Sequence, residues 1–394
     1  MKRIYLDHNA TTPIRPEVLA AMLPYLTGEY GNASSIHAFG QNAREAVEQA
    51  RSSVAALVGA RAAEIMFTSG GTESDNHAIL GAVAAAPGNR KHVITSAIEH
   101  VAVLDACKAL AKSGVDLTIL PVDRDGRVDP EGVKNAIRPE TVLITLMLAN
   151  NETGTIEPIK EIGDIGRIAG IAADKGIAFH TDAVQAAGKI PIDVKDLGVD
   201  LLSISAHKIN GPKGVGALYI RKGTRLAPLL YGGHSERDRR PGTEDVAAIA
   251  GMGKAAELAR DGLIPESERI GALRDRLEHG LLARVPHAWV NGARARRVPN
   301  TSNLTFPFIE GESMVIALDL KGIACSTGAA CSSGAVEPSH VLMALGLAPE
   351  DARATLRLSL GHQTSEDEID FALETIPRVI ERLRQLSPTF EKPT

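Results

Sequence analysis

The sequence predicts an α/β protein: a mostly parallel sheet covered by helices on both faces, followed by a smaller α+β unit. Three observations carry this. Between residues 64 and 220, short apolar runs alternate with segments of helical periodicity, the pattern of a parallel sheet wrapped by crossover helices. The polar residues able to do chemistry fall just after those runs, where parallel sheets bind ligands. Near residue 260 the alternation gives way to longer helical stretches around a few strands.

The elements follow in order. Residues 37–60 place Ala43, Ala46, Val47, Ala50, Val54, Leu57 and Val58 at helical spacing. EIMFTS (64–69) reads as a strand, and GTESDNHAIL as a turn entering a helix. HVITSA (92–97) is a strand and VLDACKALAKSG a helix closed by Gly114. Strands are expected at VDLTILPV (115–122), TVLITLMLA (141–149), GIAFHTD (176–182), VDLLSIS (199–205) and GVGALYI (214–220). Helices are expected from about Pro130 and over Ile159–Lys175. In the second unit, helices at 266–285 and 365–387 flank strands at 302–306 and 355–359. The division expected is a large domain over 15–260 and a small one formed by 1–14 with 261–394.

Composition narrows the function. The chain has 394 residues, 44% hydrophobic, with a formal net charge of −5. A nucleic-acid or anionic-membrane footprint is not expected from that charge. Only 3% of residues are aromatic, too few for a base-stacking platform. The opening MKRIYLDHNATTP has no apolar signal core, and the longest apolar run, Thr141–Ala149, is far below the ~20 residues of a spanning helix. A cytoplasmic protein is expected. Three cysteines, 107, 325 and 331, argue against a disulfide framework. Cys107 reads as a small buried core residue. No metal-ligand spacing is present, so no resident metal is expected.

The most informative segment is LLSISAHKINGPKG (201–214). Lys208 ends an apolar strand and runs into a glycine-proline turn. It is either a surface lysine after a strand or a desolvated one: desolvation lowers the pKa of an amine, and a neutral, fixed lysine can form an imine with an aldehyde such as pyridoxal phosphate. TSGGTESDN (68–76) follows a strand and opens a helix, a place for a phosphate or simply for a helix cap. Asp182 ends another strand, as a helix cap or as the partner of a cation such as a pyridinium nitrogen. His100 closes a third, as a helix-entry histidine or as a ring stacked on a cofactor. Cys331 lies in GIACSTGAACSSGAVEPSH (322–340), where Gly, Ala and Ser cannot pack a core. A mobile loop suits a nucleophilic thiol that visits one site and delivers to another. Cys325, nearer the apolar stretch, reads as inert.

These segments together resemble the NifS/IscS-type cysteine desulfurases, a class-V branch of the fold-type I pyridoxal-phosphate enzymes. The resemblance runs through YLDHNATTP (5–13), YGNASSIH (30–37), FTSGGTESDN (67–76), IEH (98–100), NNETG (150–154), HTDAVQ (180–185), SAHKINGPKG (205–214), RRPGTED (239–245), GAACSSG (328–334) and LRLSLG (356–361). It implies pyridoxal 5'-phosphate on Lys208, with Asp182 at the ring nitrogen and His100 stacked on the ring. It implies Gln185 and Asn151 near the ring oxygen and the substrate. The phosphate would be held by Gly71, Thr72, Ser205 and His207, with Thr243 reaching the partner subunit's phosphate in a homodimer. Arg357 would clamp the carboxylate of L-cysteine, and Cys331 would accept the sulfur as a persulfide. A sulfur-acceptor protein such as an iron–sulfur scaffold is the implied partner, with room for a transient iron–sulfur contact at Cys331. A selenocysteine lyase, another class-V enzyme or a non-catalytic sulfur carrier are the alternatives. His234 and Asp238 interrupt the glycine-rich run usual before RxGT, Ala329 stands where serine is usual, and His362 follows LRLSLG where arginine is common.

Overall fold

The computed structural model describes residues 3–168, 176–327, 337–388 and 390. Twelve strands are present among them: β1 (Ile4–Tyr5), β2 (Ile65–Thr68), β3 (His92–Ser96), β4 (Asp116–Leu120), β5 (Thr141–Thr145), β6 (Ala178–Asp182), β7 (Leu201–Ser205), β8 (Gly216–Ile220), β9 (Trp289–Val290), β10 (Thr301–Thr305), β11 (Ile323–Ala324) and β12 (Thr355–Ser359).

Seven of them form the main sheet, in the order β2-β8-β7-β6-β5-β3-β4. Strands β3 to β7 pair in parallel, and β8 is antiparallel to both its neighbours. Side chains alternate across this sheet as the period of two requires. Met66, Val93, Leu143, Leu201 and Leu218 face a core with the helices Gly71–Ala85 and Val101–Lys112. Phe67, Ile94, Ile144, Leu202 and Tyr219 face a larger core with Ala38–Leu57 and Val246–Asp261. Both faces are therefore buried, which is why the strands read as continuous apolar runs.

The second sheet is antiparallel, in the order β12-β10-β9. It packs with the helices Leu263–Arg284, Gly311–Asp319 and Glu366–Leu386 around Leu277, Phe306, Leu318, Leu358 and Ile376. The chain's beginning joins this layer. Strand β1 pairs with β11, Asp7 bridges to Ser359, and Ile4 and Leu6 are in the same core.

Three boundaries differ from the sequence expectation. The run Thr141–Ala149 is a strand only to Thr145; Leu146 and Leu148 still bond to His180 and Asp182, but Ala149 turns to pair with Ile156. Gly214 has a φ of +81°, so β8 starts at Gly216. The helix expected to Lys175 is described over Ile159–Ile168, and the remainder lies outside the described residues.

Candidate active site

The carboxyl ends of the parallel strands open onto a cavity of about 410 Å³ between the two sheets. It is lined by Asn9, Gly71, Thr72, Asp75, His100, Asn151, Asp182, Gln185, Ser205, His207, Lys208, Ser326 and Arg357, among others. Most of the residues singled out in the sequence thus meet in one place. Thr243 does not: it is exposed beside a separate cavity with Arg51 and Glu236. Cys331 lies outside the described residues.

Lys208 sits in a short 3-10 turn, Ala206–Lys208, directly after β7. Its Nζ donates to the carbonyls of Asn9 (2.6 Å) and Ala10 (2.7 Å). Burial and then the Arg357 guanidinium lower its pKa to about 8, while Asp182 and Asp7 oppose the shift. An appreciable fraction is therefore neutral near physiological pH.

Asp182 ends β6 and accepts the amide of Val184 at 2.8 Å. Asp75 lies near it on the helix Gly71–Ala85, with one buried carboxyl oxygen that makes no hydrogen bond and stands 3.7 Å from Nε2 of His180. Burial raises both pKa values, and for Asp75 the charge of Asp182 adds to it. Two desolvated carboxyls side by side favour a cation between them and the cavity.

His100 caps the helix Val101–Lys112, its Nδ1 accepting the amide of Ala102 at 3.2 Å. A neutral imidazole held this way carries its proton on Nε2, where it is free to donate. Burial lowers its pKa, partly offset by Asp182. His207, beside Lys208, is pushed down to about 4 by burial and the neighbouring Lys208 and Lys213 charges.

An anion cradle stands at one end of the cavity. Gly70 caps the helix Gly71–Ala85 at a φ of +152°, a conformation that favours glycine. Gly216 lets the turn pass, because a Cβ there would lie 2.7 Å from Gly70 backbone. The amides of the first helical turn then point outward, as an anion needs.

Arg357, on β12, donates from Nη2 to Asp7 (2.8 Å) and from Nη1 to the Asn151 carbonyl (3.1 Å). Its Nε is buried without a partner, and so is Oδ1 of Asn151. The backbone of Arg357 pairs with Ser326, which leads toward Cys331, and Ser339 beyond that segment donates to Glu152 at 2.5 Å. Cys325 and Cys107 are buried thiols pushed up to about 12 by burial, as an inert role requires.

Amine, buried carboxylates and anion cradle fit a phosphorylated pyridine aldehyde, and the unpartnered atoms of Asp75, Asn151 and Arg357 leave polar capacity for such a group and an amino acid. Four residues of this site carried no role in the sequence reading: Asp7, Asn9, Asp75 and Lys189. Only YLDHNATTP, already conspicuous as a motif, could have drawn attention to the first two.

Comparison with known proteins defines the class. Residues 4–371 match the description "Aminotransferase class-V", and the chain belongs to that family. Within it, the chain is one of the NifS/IscS-type cysteine desulfurases. It is 52% identical to "Cysteine desulfurase IscS" of Dictyoglomus turgidum, covering 98% of this chain and 97% of that protein. It is 51% identical to the protein of the same name from Methanosarcina thermophila, over 99% and 95%. Among solved structures, a "NIFS-LIKE PROTEIN" superposes with a TM-score of 0.90 at 36% identity, covering 97% and 100%. "SspA in complex with cysteine" gives 0.79 at 37% identity, covering 90% and 98%.

Proposed function

We propose that this enzyme takes the sulfur of L-cysteine onto Cys331 and releases L-alanine, using pyridoxal phosphate. When bound, that cofactor supplies an aldehyde carbon for an amine and a ring that accepts the charge left at Cα. Lys208 is the amine that tethers it and then carries the Cα proton, a task suited to a base with a pKa near 8. Asp182 keeps a proton on the ring nitrogen. The amides at Gly71 and Thr72, with Ser205 and His207, hold the phosphate. His100 would stack on the ring, its Nδ1 held by Ala102 and Nε2–H turned to donate. Asn151 and Gln185 orient the reactants, and Arg357 takes the substrate carboxylate, using the polarised guanidinium that Asp7 steadies.

The thiolate of Cys331 attacks the substrate sulfur. A sulfur–sulfur bond forms, the Cβ–S bond breaks, Cβ keeps the electron pair and is protonated, and alanine leaves. Ser326, five positions before Cys331 in the sequence, lines the cavity. The observation that carries the reading is the convergence of Lys208, Asp182 and Arg357 on one cavity.

The chain works as a homodimer in this reading. Thr243 lies away from the chain's own cavity, and Tyr30, Ile36 and Tyr231 are 75%, 88% and 85% exposed, large apolar side chains that a second copy would cover in this reading. Two domains, 15–260 and 1–14 with 261–394, are supported by the two separate cores around the two sheets. A cytoplasmic location accords with the absence, among the described residues, of any helix long and apolar enough to cross a membrane. An acceptor protein such as an iron–sulfur scaffold is the sulfur's destination in this reading, from the family resemblance of the sequence.

Mass spectrometry after incubation with L-cysteine tests the reaction. One added sulfur on the Cys331 peptide, with stoichiometric alanine, is expected. Alanine release undiminished in Cys331→Ala under single-turnover conditions would refute it.

A further inference from the structure

A second lysine stands behind the cavity. Lys189 is partly buried, and its Nζ donates to Oε1 of Gln185 at 2.6 Å and to Oδ1 of Asn9 at 3.2 Å. Both acceptors are neutral amide oxygens. The amine donates to both, so each amide turns its oxygen toward Lys189 and its NH2 away. The NH2 of Gln185 consequently reaches the Asn9 carbonyl at 2.9 Å, the same carbonyl that Lys208 bonds at 2.6 Å. The NH2 of Asn9 reaches Thr301 at 2.8 Å and the Asn151 carbonyl at 3.1 Å. Lys189 thus sets the polarity of the Gln185 amide together with the Asn9 carbonyl, and that of Asn9 together with Asn300, whose NH2 donates to the same Oδ1 at 3.0 Å. Burial, then Lys208 and Arg357, push the pKa of Lys189 well down; charged or neutral, the amine keeps N–H donors for these two oxygens.

We propose that Lys189 is a positioning residue for the cofactor, holding Gln185 so that its NH2 and not its carbonyl faces the ring oxygen. The inference rests on the reading of Gln185 as a cofactor ligand. Without Lys189 the Gln185 oxygen loses its donor at 2.6 Å, and only the bond to the Asn9 carbonyl still opposes a half-turn that would present an acceptor to an anionic oxygen. A donor at that oxygen withdraws charge from it and lowers the pH at which the tethered chromophore loses its proton.

The test is a pH titration of the visible absorbance band of the purified holoenzyme, with four variants: Lys189→Met, Lys189→Arg, Gln185→Ala and the Lys189→Met/Gln185→Ala double. The midpoint should rise by about half a unit or more in Lys189→Met. It should return toward the original value in Lys189→Arg, which restores a donor. The double variant should match Gln185→Ala alone, because Lys189 acts through Gln185. Additive shifts, or a midpoint unmoved in Lys189→Met while Gln185→Ala moves it, would overturn the proposal and leave the cofactor reading standing. No visible band in the unaltered protein would remove the cofactor reading and this inference with it. Lys189→Ala serves the same comparison if methionine is not accommodated, with thermal unfolding to check that each variant folds.

Discussion

Arg51 and Glu236 form a buried bidentate ion pair, at 2.7 and 2.8 Å, across the rim of the main sheet. Their side chains are 5% and 4% exposed. Glu236 also accepts the amide of Phe67 at 2.8 Å, closing part of the open edge of β2. The guanidinium lies 4.9 Å above the Phe67 ring. Arg240 bonds Glu73 at 2.9 Å, so the loop leading to Thr243 is pinned at two points.

Removing one partner of the pair leaves a buried charge without compensation. Arg51→Met should cost about 3–5 kcal/mol of unfolding free energy. The double variant Arg51→Met/Glu236→Leu should recover part of it. Denaturant unfolding of the single and double variants measures this coupling. If the loop's order serves a neighbouring subunit, the single variant should also weaken the dimer in sedimentation experiments.

Three consecutive non-glycine residues in that loop, Glu236, Arg237 and Asp238, have φ of 48°, 59° and 63°. Left-handed backbone costs an ordinary residue about 1–2 kcal/mol, against about 0.5–1 kcal/mol of chain entropy lost by glycine. Asp238→Gly should therefore stabilise the protein by about 0.5–1 kcal/mol. The His234–Asp238 contact at 2.6 Å is exposed and offsets little of this. A higher thermal midpoint for Asp238→Gly checks it, and a lower one would show that the strain is balanced by contacts elsewhere.

The pKa of Glu152 is raised by burial to about 7, and Ser339 donates to its carboxyl. A carboxyl whose pKa is raised on folding contributes most below its unfolded value, near 4.5. That contribution is lost as pH rises through about 7. Glu152→Gln stays neutral and can still accept from Ser339. Relative to the unaltered protein, it should therefore gain on the order of 1–3 kcal/mol between pH 5 and pH 8. Stability curves at the two pH values give the comparison.

Arg357 makes its two bonds, to Asp7 and Asn151, with separate nitrogens of one planar group. Lysine cannot bridge both and still face a carboxylate. Arg357→Lys should raise KM for L-cysteine by about 10–100-fold, the loss of one charged hydrogen bond. Steady-state kinetics with L-cysteine measures it. An unchanged KM would assign the carboxylate to another group.

How much of this was legible in the sequence depends on where each residue's partners lie. Asp182, His100 and Lys208 stand out because a polar residue ending an apolar run is locally anomalous, and the parallel sheet brings such ends together. Asp75 lies inside the FTSGGTESDN motif, but only the fold brings it beside Asp182. Asn9 reaches the site because β1 pairs with β11 and Asp7 bridges Ser359, a joining of chain segments more than 300 residues apart that no local pattern announces. Lys189 follows a glycine and reads as an ordinary turn lysine; its meaning comes from Gln185 and Asn9 together. The end of β5 was overextended for a related reason, since Leu146–Ala149 are as apolar as the strand but leave it to form the Asn150–Thr155 turn.

Lys208 and Lys189 lie within the same polar network, joined through Asn9, and only Lys208 lines the cavity. Borohydride reduction of the purified holoenzyme, followed by peptide mapping, decides this. A pyridoxyl group on Lys208 alone is expected; the same group on Lys189, or on neither lysine, would contradict the account.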